Sequence, residues 1–543
     1  MTHPYVVEDF TAGERVILDR YFTNTDRPVF ALRNLPEIVK GALFARYSRT
    51  AKSLRRLFLD EFYRGEDFTE GAATGEQLGA ARARDLYDRI FIEFGDDSVA
   101  QLGGAHIAVE QGSNILTKAL EWGRLAAYLE QSTRYVPYDD RPAGRYRWYR
   151  EPDIMASGHA AAYERTMDAL FDQYAQALPK AIAGYEQRHP KQPEDTDFVY
   201  RSTIRAKALD ALRGMLPAAT VSNTGIYATG QSFEQMLLRM RASALSEVRE
   251  VAEMILAELN QVIPVFLLRV EQPERGGVWT EYLRSTREGT EQVARALLAD
   301  DKPEPRGLVT LTDWDPDGEE KILAAMLYAA SDLPDDQLRA RVRRLSDDER
   351  VRLVRAYAGE RVNRRHKPGR ALERAGYRFD VLADYGAFRD LQRHRMLTVE
   401  WQDLSPRHGF DMADELEDIG VADAFREAME GSGETWEAVA ADLPKQAQYA
   451  VAMAYRIRFV LQLNAREAMH LIELRSSPQG HRAYRAVAHE MHRQIAEVAG
   501  HRAVAELMRH VDHAVVDLER LDAERRAEVK RRRASGDAAG EKP

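Results

Sequence analysis

The sequence contains no cysteine among its 543 residues. This removes disulfides, thiolate metal sites, iron–sulfur clusters and every mechanism that needs a thiolate nucleophile. Long apolar runs are missing too. Runs such as Val262–Leu268 and Tyr449–Tyr455 fall far short of the roughly 20 residues a membrane helix needs. The first residues, Met-Thr-His-Pro-Tyr-Val-Val-Glu-Asp, show neither the basic stretch nor the apolar core of a secretory signal, so the cytoplasm is the default compartment. No G-x-x-x-x-G-K-(S/T) phosphate loop and no G-x-S-x-G elbow occurs. Positive charge is not in excess: 77 Lys and Arg stand against 87 Asp and Glu, a formal balance of −10. That argues against general coating of nucleic acid or anionic membrane, so any polyanion site is local.

What is present is a globular composition, 44% hydrophobic and 30% charged, enough for a large core. At about 150 residues per domain the length suggests three or four domains, or two of about 250. Helical periodicity dominates. Phe233, Met236, Leu237, Met240, Leu245, Val248, Val251 and Ile255 form one stripe on one expected helix, with Ser232 and Gln235 as its capping box. A second such pattern runs through Ala468, Met469, Ile472 and Leu474 and resumes through Val487, Ala488, Met491, Ile495 and Val498. Tyr377–Val381 alternates as a half-buried strand does. The mixture reads as α+β.

Pro, Gly and charge concentrate at Gln272–Gly277 and again at Asp301–Gly307, bracketing a linker. Segments of similar length and order lie on either side, so an internal repeat is expected. Asn34-Leu-Pro-Glu37 before Gly41–Ser48 parallels Asp315–Glu320 before Ala324–Ser331. Leu216-Pro217 parallels Leu443-Pro444, and Leu238-Arg239 parallels Leu474-Arg475. The expected division is 1–265, a linker at 266–304, a second copy at 305–517, and a charged flexible tail at 518–543. The tail carries Lys530–Arg533, cations that suit a helix C-terminus before the chain frays.

The densest cluster of the second half is Gln392–His408. On a helix Arg393, His394 and Arg395 would be 100° apart, the arginines splayed to wrap a ligand. Two guanidinium forks suit a diphosphate, and an imidazole can stack on or bond to a planar ring. In the first half Glu130, Ser132 and Arg134 alternate. If extended, they present an acceptor, a hydroxyl and a cation together, a set that could hold a nucleotide monophosphate. On spacing alone, an exposed basic turn and the polar face of a strand are the blander readings of these two segments.

Arg393-His-Arg395 with downstream Ser405-Pro-Arg407 resembles the signature of flavin-dependent thymidylate synthases, R-H-R-x-x-S-x-N-E-x-S-x-R-Y. Glu130–Tyr135 matches its last six positions without a gap. The family's other landmark, N-x-R-x-x-x-(N or H)-x-x-x-L-R, is similar to Asn464-Ala-Arg466, His470 and Leu474-Arg475. The resemblance covers roughly residues 30–260 and 305–510, as two fused copies of a family usually half this long. It implies two tandem thymidylate-synthase-like domains, helix-rich, each with a small, mostly antiparallel sheet.

The departures are complementary. The first half has Trp122-Gly123-Arg124 for the Arg-His-Arg trio, Ala127 for the serine, and Ala228-Thr-Gly230 for the Asn-x-Arg start. The second half has Thr398 at the serine position and Glu400-Trp401 for Asn-Glu, and it needs two extra residues to reach Ser405 and Arg407. The first copy keeps the nucleotide side and the second keeps the flavin side. Because sites in the family form between subunits, one composite site is expected to survive.

Methylating C5 of a uracil ring usually requires thiolate attack at C6, which this chain cannot provide. The resemblance implies reduced flavin instead: reductive methylation of dUMP to dTMP, with FAD as cofactor and NADPH and methylenetetrahydrofolate as co-substrates. By matched position Arg393, His394, Arg395, Asn464, Arg466 and His470 hold flavin. Glu130, Ser132, Arg134 and Tyr135 hold the nucleotide, and Arg475 polarises the pyrimidine. No metal and no membrane partner is expected. A homo-oligomer is, and a fused chain would be a dimer if single-copy relatives are tetramers. Two rivals are a non-catalytic flavin- or nucleotide-binding scaffold and a flavoenzyme acting on another nucleotide. His489-Glu-Met-His492 has i,i+3 rather than i,i+4 spacing, short of a zinc-protease helix, although with His510 and His513 it could still meet a metal.

Overall fold

The computed structural model describes residues 7–47, 50–63, 101–193, 195–514, 518 and 520–534. Ser48, which closes the first of the paralleled segments, lies outside them. By contacts the chain divides into two compact units. One holds residues 1–109, 125–129 and 224–300; the other holds 110–124, 130–223 and 301–543. The fold is helix-rich α+β with two small antiparallel sheets, as expected. No described helix is long and apolar enough to cross a membrane.

The N-terminal helices Ala12–Tyr21, Glu37–Tyr47 and Leu54–Leu57 pack around Phe10, Leu18, Tyr21, Phe22 and Phe58. Thr11 and Glu14 close a reciprocal capping box at their start. Strands β1 (Gly104–Ser113), β2 (Ala126–Glu130) and β3 (Val221–Thr229) form a sheet in the order β1-β3-β2. Strands β4 (Val309–Trp314), β5 (Gly376–Asp384), β6 (Leu397–Trp401) and β7 (Arg456–Asn464) form the other, in the order β4-β5-β7-β6. Apart from the added edge strand β4, the second order repeats the first.

In the second sheet β5 and β7 pair from Gly376↔Asn464 to Asp384↔Arg456. Tyr377, Phe379, Val381 and Ala383 point into the core, as their alternation predicts, with Ile457, Phe459, Leu461 and Leu463 beside them. On the other face Arg458 pairs with Asp380 at 2.8 Å. The edge strand is satisfied by Gln494, which accepts from Leu311 N at 2.6 Å and donates to Val309 O at 2.7 Å.

Each sheet hands over to its helices through a polar cap at a strand's last residue. Ser113 accepts from Leu116 N and Asp384 from Ala387 N, both at 2.9 Å, while Asn464 accepts from Glu467 N at 3.0 Å and Thr229 from Ser232 N at 3.3 Å. Thr229, not the expected Ser232, is therefore the cap. The stripe from Phe233 to Ile255 is also two helices, Gly230–Arg241 and Ser246–Val262, rather than one. The break follows from Ser243, whose hydroxyl accepts from Leu245 N at 3.2 Å and so competes with the helical ladder. Asn464 corresponds to Thr229, so the diverged helix start is Thr229–Gln231, one residue later than the sequence reading placed it.

The repeats also meet by a different register than Leu216-Pro217 against Leu443-Pro444 suggests. A short 3-10 turn, a bridge and a nine-residue strand occur in the same order at 213–229 and 446–464, which makes Val451-Ala452 the counterpart of Leu216-Pro217. These counterparts exchange backbone hydrogen bonds. Ala218 N donates to Val451 O and Met453 N to Leu216 O, at 2.8 and 2.9 Å, and Ala219 N to Tyr449 O and Ala454 N to Gly214 O, both at 3.0 Å. The approach is close enough that a Cβ on Gly214 would sit 2.8 Å from that of Ala454. The expected linker contains a further helix, Val278–Leu297. Where a flexible tail was expected from 518, the helix Leu521–Ala534 forms instead, and Arg525 Nε donates to Asp195 at 2.7 Å.

The helix Ala465–Arg475 is locked by a buried bidentate pair, Arg361 Nη1 and Nη2 to Glu473 at 2.7 and 2.6 Å, both side chains 1% exposed. Arg361→Ala leaves that carboxylate uncompensated and is expected to cost about 3–5 kcal/mol, read as a lowered denaturant midpoint. Unchanged stability would refute this.

Candidate functional site

All the residues of this site belong to the second unit. The helix Tyr385–Gln392 ends at Arg393, which takes the C-cap position. The Arg-His-Arg trio therefore occupies the turn into β6 rather than a helix face, because β6 begins at Leu397. Arg389 and Asp390, one turn upstream, reach the same place. Glu130 ends β2 and is buried. It accepts a short hydrogen bond from Arg389 Nη2, and its Oε2 lies 3.1 Å from Arg393 Nη2. The second contact is an ion pair without hydrogen-bond alignment, so Oε2 remains without a hydrogen-bond partner. Glu121, also buried, stands 3.9 Å from Arg393 Nε. Burial and the charge of Glu130 push its carboxyl up to about 8, so it is protonated at neutral pH.

Asp390 sits among Arg393 and Arg475, each at 3.5 Å, and Arg213 at 3.7 Å. Burial opposes its charge, but these arginines hold it well below the usual carboxylate range. His394 is buried between Glu467 and Arg475. Its Nδ1 is 3.0 Å from Glu467 Oε1, and its Nε2 accepts from Arg475 Nε at 3.0 Å. Arginine cannot accept, so Nε2 carries the lone pair and Nδ1 the hydrogen. Burial lowers the imidazole to about 4, and Glu467 is held near 2 against its own burial by bonds from His394 and His470.

Glu467 Oε2 lies 3.4 Å from His470 Nδ1, so His394, Glu467 and His470 place ligand atoms within 4.8 Å of one another. A metal on His394 Nδ1 would put a hydrogen on Nε2, facing the Arg475 donor. The bonding seen is that of a relay, not a metal cradle. In the other histidine group, His489 and His492 bond through Nε2 to the carbonyls of Asp512 and Ala505 at 2.7 and 3.1 Å, which spends those nitrogens.

Arg475 also bonds the Asp390 carbonyl, and its guanidinium lies 5.3 Å from the Tyr484 ring centre. Arg134 donates to Tyr484 Oη at 3.0 Å and to Gln479 O at 3.3 Å, and pairs with Asp210. One ring therefore joins a residue of the motif kept by the first repeat to a residue of the motif kept by the second. The extended alternation of Glu130, Ser132 and Arg134 is not what forms. The strand stops at Glu130, and Ser132 O accepts from Tyr135 N and Val136 N, both at 3.1 Å, closing a turn. Ser132 Oγ accepts from Arg134 N at 3.2 Å, and Tyr135 is exposed.

Among the remaining expected residues, Arg395 is exposed and Asn464 serves as a helix cap. Arg466 bonds Pro368 O at 3.1 Å and pairs with Glu373 at 3.4 Å. Arg407 lies over the Trp436 ring at 5.1 Å. The sequence reading missed Arg389, Asp390, Arg213, Glu121, Glu467 and Tyr484. Three of these had a signal: Arg389 and Asp390 stand four residues before Arg393 and His394, and Glu467 three before His470.

Among the described residues, the counterpart position carries no such charge cluster. Trp401 ends β6 where Glu130 ends β2. It packs on Trp122 at 5.8 Å, with Lys118, the counterpart of Arg389, 5.4 Å from its ring. Trp122 Nε1 donates to Val399 O at 3.2 Å.

A family model described as thymidylate synthase complementing protein matches residues 46–265 and 310–500. A UPF0159 protein of Chlamydia muridarum is 40% identical over 522 residues, covering 95% of this chain and 98% of its own. A UPF0159 protein of Thermoplasma acidophilum is 32% identical over 524 residues, covering 91% and 99%. Among solved structures, the UMP/dUMP methylase PolB from Streptomyces cacaoi bound with 5-Br dUMP shares 18% identity at a TM-score of 0.29, covering 38% of this chain and 97% of its own. Thymidylate Synthase X from Helicobacter pylori with FAD and dUMP shares 16% at a TM-score of 0.28, covering 37% and 99%.

Two predictions follow from the charges. Glu130→Gln leaves Arg389 buried against a neutral group and should cost about 3–5 kcal/mol. Glu121→Gln, which mimics the protonated acid, should cost little at pH 7. The stabilisation from Glu121 is full below pH 4.5 and is lost as pH rises to about 8, so the Gln variant should also flatten that alkaline decline in denaturation midpoint. Equal losses in the two variants would be inconsistent with a protonated Glu121.

For His394, the folded protein favours the neutral ring. Its stabilisation is complete above pH 6.5 and is lost as pH falls to about 4. The stability gap between wild type and His394→Gln should therefore narrow across that range, and a gap that widens toward acid would overturn the tautomer assignment.

Proposed function

The chain belongs to the thymidylate synthase complementing protein family, and on that premise we propose that it carries out flavin-dependent reductive methylation of dUMP to dTMP at one composite site. The observation that supports this most is the contact of Glu130, from the motif kept by the first repeat, with Arg389 and Arg393 beside the motif kept by the second.

The residues suit an anionic, planar cofactor such as FAD. Arg393 and Arg466 are about one-third exposed, Arg395 is exposed, and the His470 ring is 30% exposed beside them. Glu130 Oε2 and Arg389 Nε are buried polar atoms without hydrogen-bond partners. Arg393, Arg395, Arg466 and His470 would hold FAD. His394 and Asn464, committed inside the protein, would position Arg475 and the start of its helix. When bound, reduced flavin supplies the hydride that replaces thiolate activation in a chain without cysteine. NADPH and methylenetetrahydrofolate are its proposed co-substrates.

On the protein's side, Arg475 is aimed by His394 and Asp390 so that it can polarise a pyrimidine carbonyl. The Ser132 hydroxyl and the Arg134 guanidinium would offer the nucleotide phosphate a donor and a cation. Glu121, whose carboxyl burial pushes up, is the group of the cluster suited to move a proton. A homo-oligomer in the cytoplasm is part of the proposal. The scaffold reading draws on the internal satisfaction of Arg134 by Asp210, Tyr484 and Gln479.

Purified protein should be yellow with flavin absorption bands and should restore growth of a thymidine-requiring host. Arg393→Ala should lose flavin at least about tenfold more readily, whereas Arg134→Ala should keep flavin and lose dUMP binding. A colourless protein that refuses added flavin removes the enzyme. A yellow protein that fails complementation leaves the flavoenzyme of another nucleotide, and variants that behave alike dissolve the composite site.

A further inference from the structure

A cavity of about 500 Å³ lies on the far side of Arg134 and Tyr135, against one face of the helix Asp197–Leu212. Phe198, Arg201 and Arg205 recur along that face at helical spacing. The volume lies within the range of small-molecule sites. None of these three helix residues belongs to a motif noted in the sequence.

The lining is cationic and aromatic. Arg201 and Arg205 are exposed and one helical turn apart, and among the described residues no carboxylate forms an ion pair with either. Asp197, the acid of the lining, is bound to Lys191 Nζ at 2.6 Å. Tyr135 and Phe198 are 62% and 53% exposed, and each is covered by a guanidinium, Arg520 over Tyr135 and Arg531 over Phe198, both at 4.4 Å. Arg520 is 93% buried, yet its Nη1 has no hydrogen-bond partner. Its Nη2 stands 4.0 Å from Asp210 Oδ2, which holds the guanidinium over the Tyr135 ring.

We propose that this cavity binds a nucleoside di- or triphosphate, with Arg201 and Arg205 holding the phosphates and the Tyr135 and Phe198 rings flanking the base. Guanidinium forks one turn apart suit successive phosphates better than a single carboxylate. The two rings add a stacking surface that a polycarboxylate tail could not use. A volume of about 500 Å³ suits one nucleotide, whereas a nucleic-acid strand needs a continuous groove. This site does not depend on the reaction proposed above. It shares Arg134 and Tyr135 with the turn proposed above to hold the dUMP phosphate, so occupancy is positioned to be felt at that turn, at Tyr484 and at Arg475.

Calorimetric titration of the full-length protein with ATP, dTTP, inorganic tripolyphosphate, pentaglutamate and a short oligothymidylate tests the assignment. Both nucleoside triphosphates should bind one per chain. The double change Arg201→Ala/Arg205→Ala should weaken them at least about tenfold while dUMP binding and flavin content stay as in wild type. Phe198→Ala should weaken the nucleotides but not tripolyphosphate. These three positions are exposed, and circular dichroism will show whether the variants remain folded. Triphosphates that fail to bind, or that bind the double variant as tightly as wild type, overturn the proposal. So does pentaglutamate or oligothymidylate filling the site while the triphosphates do not.

Discussion

The reciprocal backbone exchange between residues 214–219 and 449–454 is the constraint on which the second unit depends. Each hydrogen bond from one repeat to the other has a counterpart running back, so the contact has the form of a two-fold, isologous interface written into one chain. The same region of the chain holds the starts of two matching helices, Asn114–Leu120 and Tyr385–Gln392. Asn114 N donates to Ala218 O and Thr220 O, while Tyr385 N donates to Tyr455 O, and Tyr385 Oη reaches Asn114 O at 2.8 Å. Those helices end in Lys118 and Glu121 on one side and Arg389 to Arg393 on the other. Fixing their starts fixes where their charged ends lie.

An interface of this form makes two equivalent places, and the sequence has treated them differently. At one, Glu130 meets Arg389 and Arg393, with Glu121 and Asp390 completing a charged cluster. At the other, Trp401 and Trp122 pack edge to face, and Lys118, pushed down to about 8 by burial, stands over an indole in place of an ion pair. Aromatic packing fills the space that charge occupies in the twin, which removes the polar lining a ligand would use. A single copy of the gene for such a fold could not diverge this way, because a change at one site would appear at both. Duplication within the chain lifts that restriction.

Within the charged cluster, hydrogen-bond direction sets chemistry. Arg475 can only donate, so His394 must accept at Nε2 and carry its hydrogen toward Glu467. The histidine is therefore a spacer of fixed polarity between a helix cap region and an arginine, and it contributes orientation rather than exposed surface. Arg134, tied to Asp210 and Tyr484, is positioned in the same manner from the first repeat.

Periodicity and motif spacing, which depend only on residues near one another in the chain, were enough to determine the α+β class, the strand around Tyr377–Val381, the helices through Ala468 and Val487 and the internal repetition. Local competition decided the details those patterns missed: Ser243 splits one stripe into two helices, and the turn at Ser132 ends an alternation that would otherwise read as strand. The partners of the motif residues were decided by the tertiary structure alone. Glu121, Asp390 and Glu467 are ordinary carboxylates in sequence, and their different protonation arises from burial and from the arginines and histidines that the fold brings beside them. Burial and charge proximity are properties of three-dimensional distance, which no local pattern encodes.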